Sequence, residues 1–204
     1  MTLSFAEIRQ ASRLSISDMK HILQLPKPVS DDYLYLISQN YSKPSKFLEN
    51  SIRHISSKGI VFNHRIFTSL LTIVLFAANA KPIHKRASLH GLPNIKFDFV
   101  LYDRNSGPII ISSAMNLKTK FKQLDLEGMV AKQLYPKSKL VLITPNESLS
   151  EKFNKKISDG KNFGVDEIIN TSHISFDKFI NRLSKLYLVP SPSCQLVKTD
   201  TVIT

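Results

Sequence analysis

Phe97-Asp98-Phe99-Val100-Leu101-Tyr102-Asp103, Arg104-Asn105-Ser106-Gly107-Pro108 and Ile109-Ile110-Ile111-Ser112-Ser113-Ala114 follow one another without a break, and the fold is read outward from them. Two apolar runs rich in β-branched and aromatic residues flank a turn of Asn, Ser, Gly and Pro, which predicts an antiparallel hairpin. Because side chains alternate along a strand, Asp98 is expected on the face of Val100 and Tyr102, and Ser112 on that of Ala114. Such a hairpin holds Asp98 close to positions 112 and 114.

Beyond it, Met115 to Lys122 reads as a polar, basic link. Helical spacing follows from Gln123 to Tyr135 (Leu124, Val130, Ala131, Leu134), with Glu127 one turn in and Pro136 as the stop. Lys139-Leu140-Val141-Leu142-Ile143-Thr144 is a short apolar strand suited to burial. A helix at Ser148 to Ser158, a strand at Val165 to Ile169 and a helix at Ser175 to Leu186 continue the alternation. Upstream, Asn63 to Ala80 predicts a long buried helix, and Ser45 to Ser57 a helix with a stripe of Phe47, Leu48, Ile52 and Ile55. Helices are also expected at Thr2 to Leu14, from Asp18, and at Asp31 to Asn40. Together these predict an α/β fold with a mixed central sheet flanked by helices, plus a helical N-terminal part. The expected divisions are 1–60, a core over 61–189 and a C-terminal tail over 190–204.

The chain has 204 residues and a formal charge of +12, which suits a polyanionic partner whose counterions lysine and arginine displace. A single cysteine, Cys194, excludes an internal disulfide and a cysteine-built zinc site, and fits a reducing cytoplasm. Met1 to Leu14 carries Glu7, Arg9 and Arg13, unlike a secretory leader, and the apolar run from Ile66 to Ala80 is short for a membrane span.

The order strand, strand, helix, strand resembles the PD-(D/E)XK nucleases, which place an Asp on one strand and an acid and a lysine on the next. A subgroup of type II restriction endonucleases carries Ser-x-Lys on that second strand and its second acid on the following helix. Asn94-Ile95-Lys96-Phe97-Asp98, Ser112-Ser113-Ala114 and Glu127, thirteen positions after 114, look like that variant. The resemblance runs from Phe62 to Leu186. Two features depart from it: no proline directly precedes Asp98, and alanine stands where the lysine belongs.

The resemblance implies a restriction-endonuclease-like core and a sequence-specific endonuclease that hydrolyses double-stranded DNA with Mg²⁺. Asp98, Ser112, Ala114 at the lysine position, and Glu127 become the catalytic set. Asp98, Glu127 and the Ser113 carbonyl become the metal ligands, hard oxygens of the kind magnesium takes. A lysine at 114 would orient water and offset negative charge, which alanine cannot do. Ala114 therefore reads as an inactivating change, introduced or natural, unless Lys118 or Lys122 reaches the site. Cutting both strands of a symmetric site suits a homodimer in a prokaryotic cytoplasm, with no membrane partner.

Expected DNA contacts flank the strands. Lys81 to Asn94, read as a basic loop, offers His84, Lys85, Arg86 and His90. The link after Ala114 offers Asn116, Lys118, Lys120, Lys122 and Gln123, whose amines suit phosphates and whose amides suit base edges. Glu49 is a further acid that an upstream helix could bring to the metal. The alternative is a non-catalytic DNA-binding protein or regulator on a degenerate nuclease fold, reading DNA through its N-terminal helices.

Overall fold

The structure, a computed structural model, describes residues 43–57, 59, 61–161, 164–192, 196–199 and 201–203. The helices expected within 2–40 lie outside the described residues. In chain order the elements are α1 (Pro44–Ser57), α2 (His64–Ala77), β1 (Ile83–Leu89), β2 (Phe97–Asp103), β3 (Gly107–Ser113), α3 (Leu117–Leu134), β4 (Lys139–Thr144), α4 (Glu147–Ser158), β5 (Glu167–Asn170), α5 (Ile174–Ser184), β6 (Leu196–Lys198) and β7 (Thr201–Ile203). The chain is α/β, with one mixed sheet flanked by helices.

The hairpin forms as its residues dictate. β2 pairs antiparallel with β3 from Phe99↔Ile111 to Asp103↔Gly107, and Gly107 takes φ 81° at the turn, a conformation that costs a residue without Cβ little. β3 pairs parallel with β4, and β4 with β5, each step bridged by a helix as parallel strands require. The sheet runs β5-β4-β3-β2-β1-β6, with β7 also paired to β1.

Each face of the sheet has its own apolar layer. On one, α1, α2 and α5 cover Phe99, Leu101, Ile109, Ile111, Val141 and Ile143. α2 buries ten of its residues, from Ile66 and Phe67 to Phe76, and each large side chain so buried contributes roughly 1.5–3 kcal/mol. On the other face, α3 and α4 cover Val100, Tyr102, Ile110, Leu140 and Leu142. α3 lies close because Gly128 meets Gly164: a Cβ on Gly128 would fall 2.6 Å from the Gly164 carbonyl oxygen.

Four expectations are corrected. The stretch 81–94 is not a loop throughout, since Ile83–Leu89 is a strand inside the sheet, pairing with β2, β6 and β7. Its apolar residues do not alternate in sequence because Arg86, at φ 51°, interrupts the pleat. Met115 to Lys122 is not a link either: α3 starts at Leu117, where Leu117 and Phe121 anchor its first turns in the core. The tail supplies β6 and β7, whose strands continue the sheet past β1. Finally, α1 belongs to the core: Phe47, Leu48 and Ile55 are buried in it, and Ser45 donates from N and Oγ to Asp177 on α5 at 2.7 and 2.8 Å. α1, the described part of the expected 1–60 division, thus packs with residues beyond 60. Among the described residues, no helix is long and apolar enough to cross a membrane.

Candidate functional site

Pleat alternation should place Asp98 with Val100, but it fails at this end of β2. Phe97 packs in the α3 layer and Phe99 in the α2 layer, although two residues apart they should share a face. The irregularity lies opposite Arg86, between the pairs Lys85↔Phe99 and Ala87↔Phe97. Regular pairing with β3 ends at Phe99↔Ile111, and beyond it Asp98 meets Ser113 rather than 112 or 114. Asp98 Oδ2 accepts the Ser113 N–H at 2.7 Å and the Ser113 hydroxyl at 2.8 Å. Oδ1 takes no hydrogen bond among the described residues and remains available to a ligand.

His64, the first residue of α2, completes this cluster. Asn63 caps that helix by accepting the Ile66 N–H, which turns the chain so that position 64 faces the strand ends. His64 Nε2 lies 3.2 Å from the Ser113 carbonyl oxygen, 3.0 Å from Ser113 Oγ and 3.5 Å from Asp98 Oδ2. The hydrogen bond with Asp98 raises the imidazole pKa above its usual 6.5, against burial and against the charge of Lys120. Burial pushes Asp98 upward, but bonding and charge from His64 and the two Ser113 donors outweigh it, so the carboxyl sits below its usual value. Sequence reading missed His64, since only the fold brings it to Asp98; the Asn63 cap ahead of a buried helix is the one local signal that an exposed side chain stands there.

A cleft of about 440 Å³ opens beside the cluster. Asp98, Ser112, Ser113, Ala114, Asn116, Lys120, Gln123 and Glu127 all line it, as do His64 and Lys96. Glu127 accepts from Gln123 Nε2 at 2.7 Å. Other acids nearby are committed to the fold: Asp125 caps the Gly164 and Val165 amides, and Asp166 receives Lys132 and the Leu140 N–H. Ala114 is 1% exposed, its N–H donated to Ile143, and brings no charge to the cleft.

The remaining expected residues fall elsewhere. Lys118 and Lys122 are exposed on α3 and do not line the cleft. His84 is buried in β1 in a T-shaped contact with Tyr102, its pKa lowered by burial, so it cannot meet a nucleic acid while β1 stays paired. Lys85, Arg86 and His90 lie outside the cleft lining, and Glu49 pairs with Arg53 at 2.6 Å on the surface of α1.

No group of three or more His, Cys, Asp and Glu side chains that could hold a metal gathers among the described residues. The magnesium site implied by the resemblance asks for less: two carboxylates and one carbonyl. Asp98 with its Oδ1 open, Glu127 and Ser113 lie on one cleft, and a set of hard oxygens fits that ion. Searches against family models, curated proteins and solved structures returned no significant match to the chain.

Proposed function

We propose that the chain is a type II restriction endonuclease of the PD-(D/E)XK kind, hydrolysing phosphodiester bonds of double-stranded DNA with Mg²⁺ and lacking the amine expected at position 114. The observation that carries this reading is the single cleft shared by Asp98, Ser113, Ala114 and Glu127, residues from two strands and a helix. The basic charge of the chain supports a DNA partner, and cutting two strands of a symmetric site suits a homodimer.

In this reading Asp98 and Glu127 hold the ion through carboxylate oxygens, with the Ser113 carbonyl beside them. Bound there, Mg²⁺ would polarise the phosphoryl oxygens and lower the pKa of water. Ser113 keeps Asp98 ionised and oriented by two hydrogen bonds, and His64 adds a third donor on the same side. Asn116 and Gln123 present amides at the rim, where base edges of DNA can be read.

The test is to incubate the parent chain and Ala114→Lys with plasmid and phage DNA in Mg²⁺ and resolve the products on a gel. Discrete bands, far stronger with Ala114→Lys, are expected. A second reading, a non-catalytic DNA-binding protein, draws on the buried, uncharged Ala114. No cleavage by either version, with specific binding retained, would establish it; loss of that binding on deleting residues 1–26 would assign the contact to the N-terminal region.

A further inference from the structure

We propose that Lys120 supplies, from α3, the cation that position 114 lacks at the scissile phosphate, making it a further catalytic residue of the site. The inference rests on the nuclease reading above. α3 lines the cleft with Lys120, Gln123, Leu124 and Glu127, spaced i, i+3, i+4 and i+7. Residues seven apart on a helix lie nearly in line, two turns from each other. Whatever ion or phosphate Glu127 faces, Lys120 therefore faces from the same stripe. Lys118 and Lys122 are rotated away from that stripe and miss the cleft, so among the three lysines of this segment only Lys120 is placed to act.

Two further observations agree. The Lys120 ammonium makes no hydrogen bond or ion pair among the described residues, whereas Lys132 is held by Asp166. It also lines the same cleft as His64, the residue in contact with Asp98 and Ser113. A flexible four-carbon stem lets the ammonium settle between those walls when a phosphate arrives.

Its part in the reaction is electrostatic. The oxygen of water bonds to phosphorus, one P–O ester bond breaks, the attacking water gives a proton to solvent, and the departing oxygen takes one up from solvent. Lys120 stays protonated throughout and offsets the negative charge that gathers on the phosphoryl oxygens.

Cleavage of phage DNA in Mg²⁺ by the parent, Lys120→Gln, Lys120→Arg, Ala114→Lys and the double variant Ala114→Lys/Lys120→Gln tests this. Weak cleavage by the parent is expected, falling about 10²–10³-fold in Lys120→Gln, the usual loss for a deleted charge-stabilising group. It should survive in Lys120→Arg and return in the double variant, which also shows that Lys120→Gln folds. Without divalent ions, Lys120→Gln should lower the log-log salt slope of DNA binding by about one. Parent cleavage unchanged by Lys120→Gln overturns the inference and leaves the nuclease reading standing. So does a silent parent beside an active Ala114→Lys. Silence from every version, with DNA still bound, removes the nuclease reading and Lys120's role with it.

Discussion

β2 carries an aspartate at each end, and each accepts both the backbone N–H and the hydroxyl of a serine. At the turn end, Asp103 Oδ2 takes Ser106 N and Oγ at 2.9 and 2.7 Å; at the other, Asp98 Oδ2 takes Ser113 N and Oγ at 2.7 and 2.8 Å. The local chemistry is nearly the same, and the surroundings are not. Asp103 is 5% exposed and shut in by the segment after α5, through Arg104 N to Tyr187 O, Val189 N to Tyr102 O and the bridge to Leu188. The Asp98 side chain is 21% exposed, with a histidine at its side and a cleft before it. An acid–serine clasp is thus a way to hold a carboxylate; whether that carboxylate stabilises a turn or serves a ligand depends on what the fold leaves open beside it.

The strongest way to break this comparison is to remove each acid in turn. In the Ala114→Lys background, Asp98→Ala is expected to abolish cleavage and Ca²⁺ binding by calorimetry, and Glu127→Ala to do the same. Asp103→Ala should keep both while losing about 1–3 kcal/mol of stability in urea unfolding, the cost of stranding the half-buried Ser106 donors. Metal binding that survives Asp98→Ala would place the site elsewhere.

A smaller effect separates the two ends by packing. Gly128→Ala pushes a Cβ against the Gly164 carbonyl and displaces α3, which lines the cleft at the open end. A loss of about 1–3 kcal/mol is expected, with weaker Ca²⁺ binding; unchanged binding would mean that the position of Glu127 does not matter.

Acid–base titration sharpens the contrast further. His64 has a raised pKa when folded, so the stability it lends is complete below about pH 6.5, its ordinary value, and fades as pH rises through the folded one. Asp98, depressed, lends stability above its ordinary value of 3.8 and loses it as pH falls through its lower folded one. The difference in Tm between parent and His64→Ala should therefore be largest in mildly acidic buffer and shrink toward alkaline pH. A constant difference would remove the ionic contact from the account. Least in size, Lys118→Gln, outside the cleft, should lower the salt slope of DNA binding by about one and leave cleavage products unchanged in position.

The pattern of legibility follows the same division. β2, β3, β4 and α2 can be read because continuous apolar runs bounded by Gly, Pro or Asn have few alternatives. β1 cannot: Ile83-His84-Lys85-Arg86-Ala87-Ser88-Leu89 looks like a basic loop until Arg86 is known to break the pleat and change which side chains are buried. The first turns of α3 are polar, and Asn116 gives them no side-chain cap, so nothing in their composition marks a helix start. At the candidate site, the family resemblance picks out Asp98, Ala114 and Glu127 by their spacing along one hairpin and one helix, and all three line one cleft. His64 lies on another helix, and Lys120 could be told from Lys118 and Lys122 only by helical phase. For Asp98 the expected neighbours 112 and 114 give way to Ser113, because alternation assumes a regular ladder where the strands have already parted.

The sheet carries one more consequence, in the order in which it can be completed. Thr199 bonds the carbonyl of Lys85 from 114 residues further along, and Ile83 pairs with Ile203. During synthesis β1 emerges long before those partners, so for that interval one side of it is a bare edge, open to any extended strand nearby. β6 and β7 thus act as an edge guard that arrives late, and a chain halted before them would be expected to self-associate along β1 even with every residue of the cleft already made.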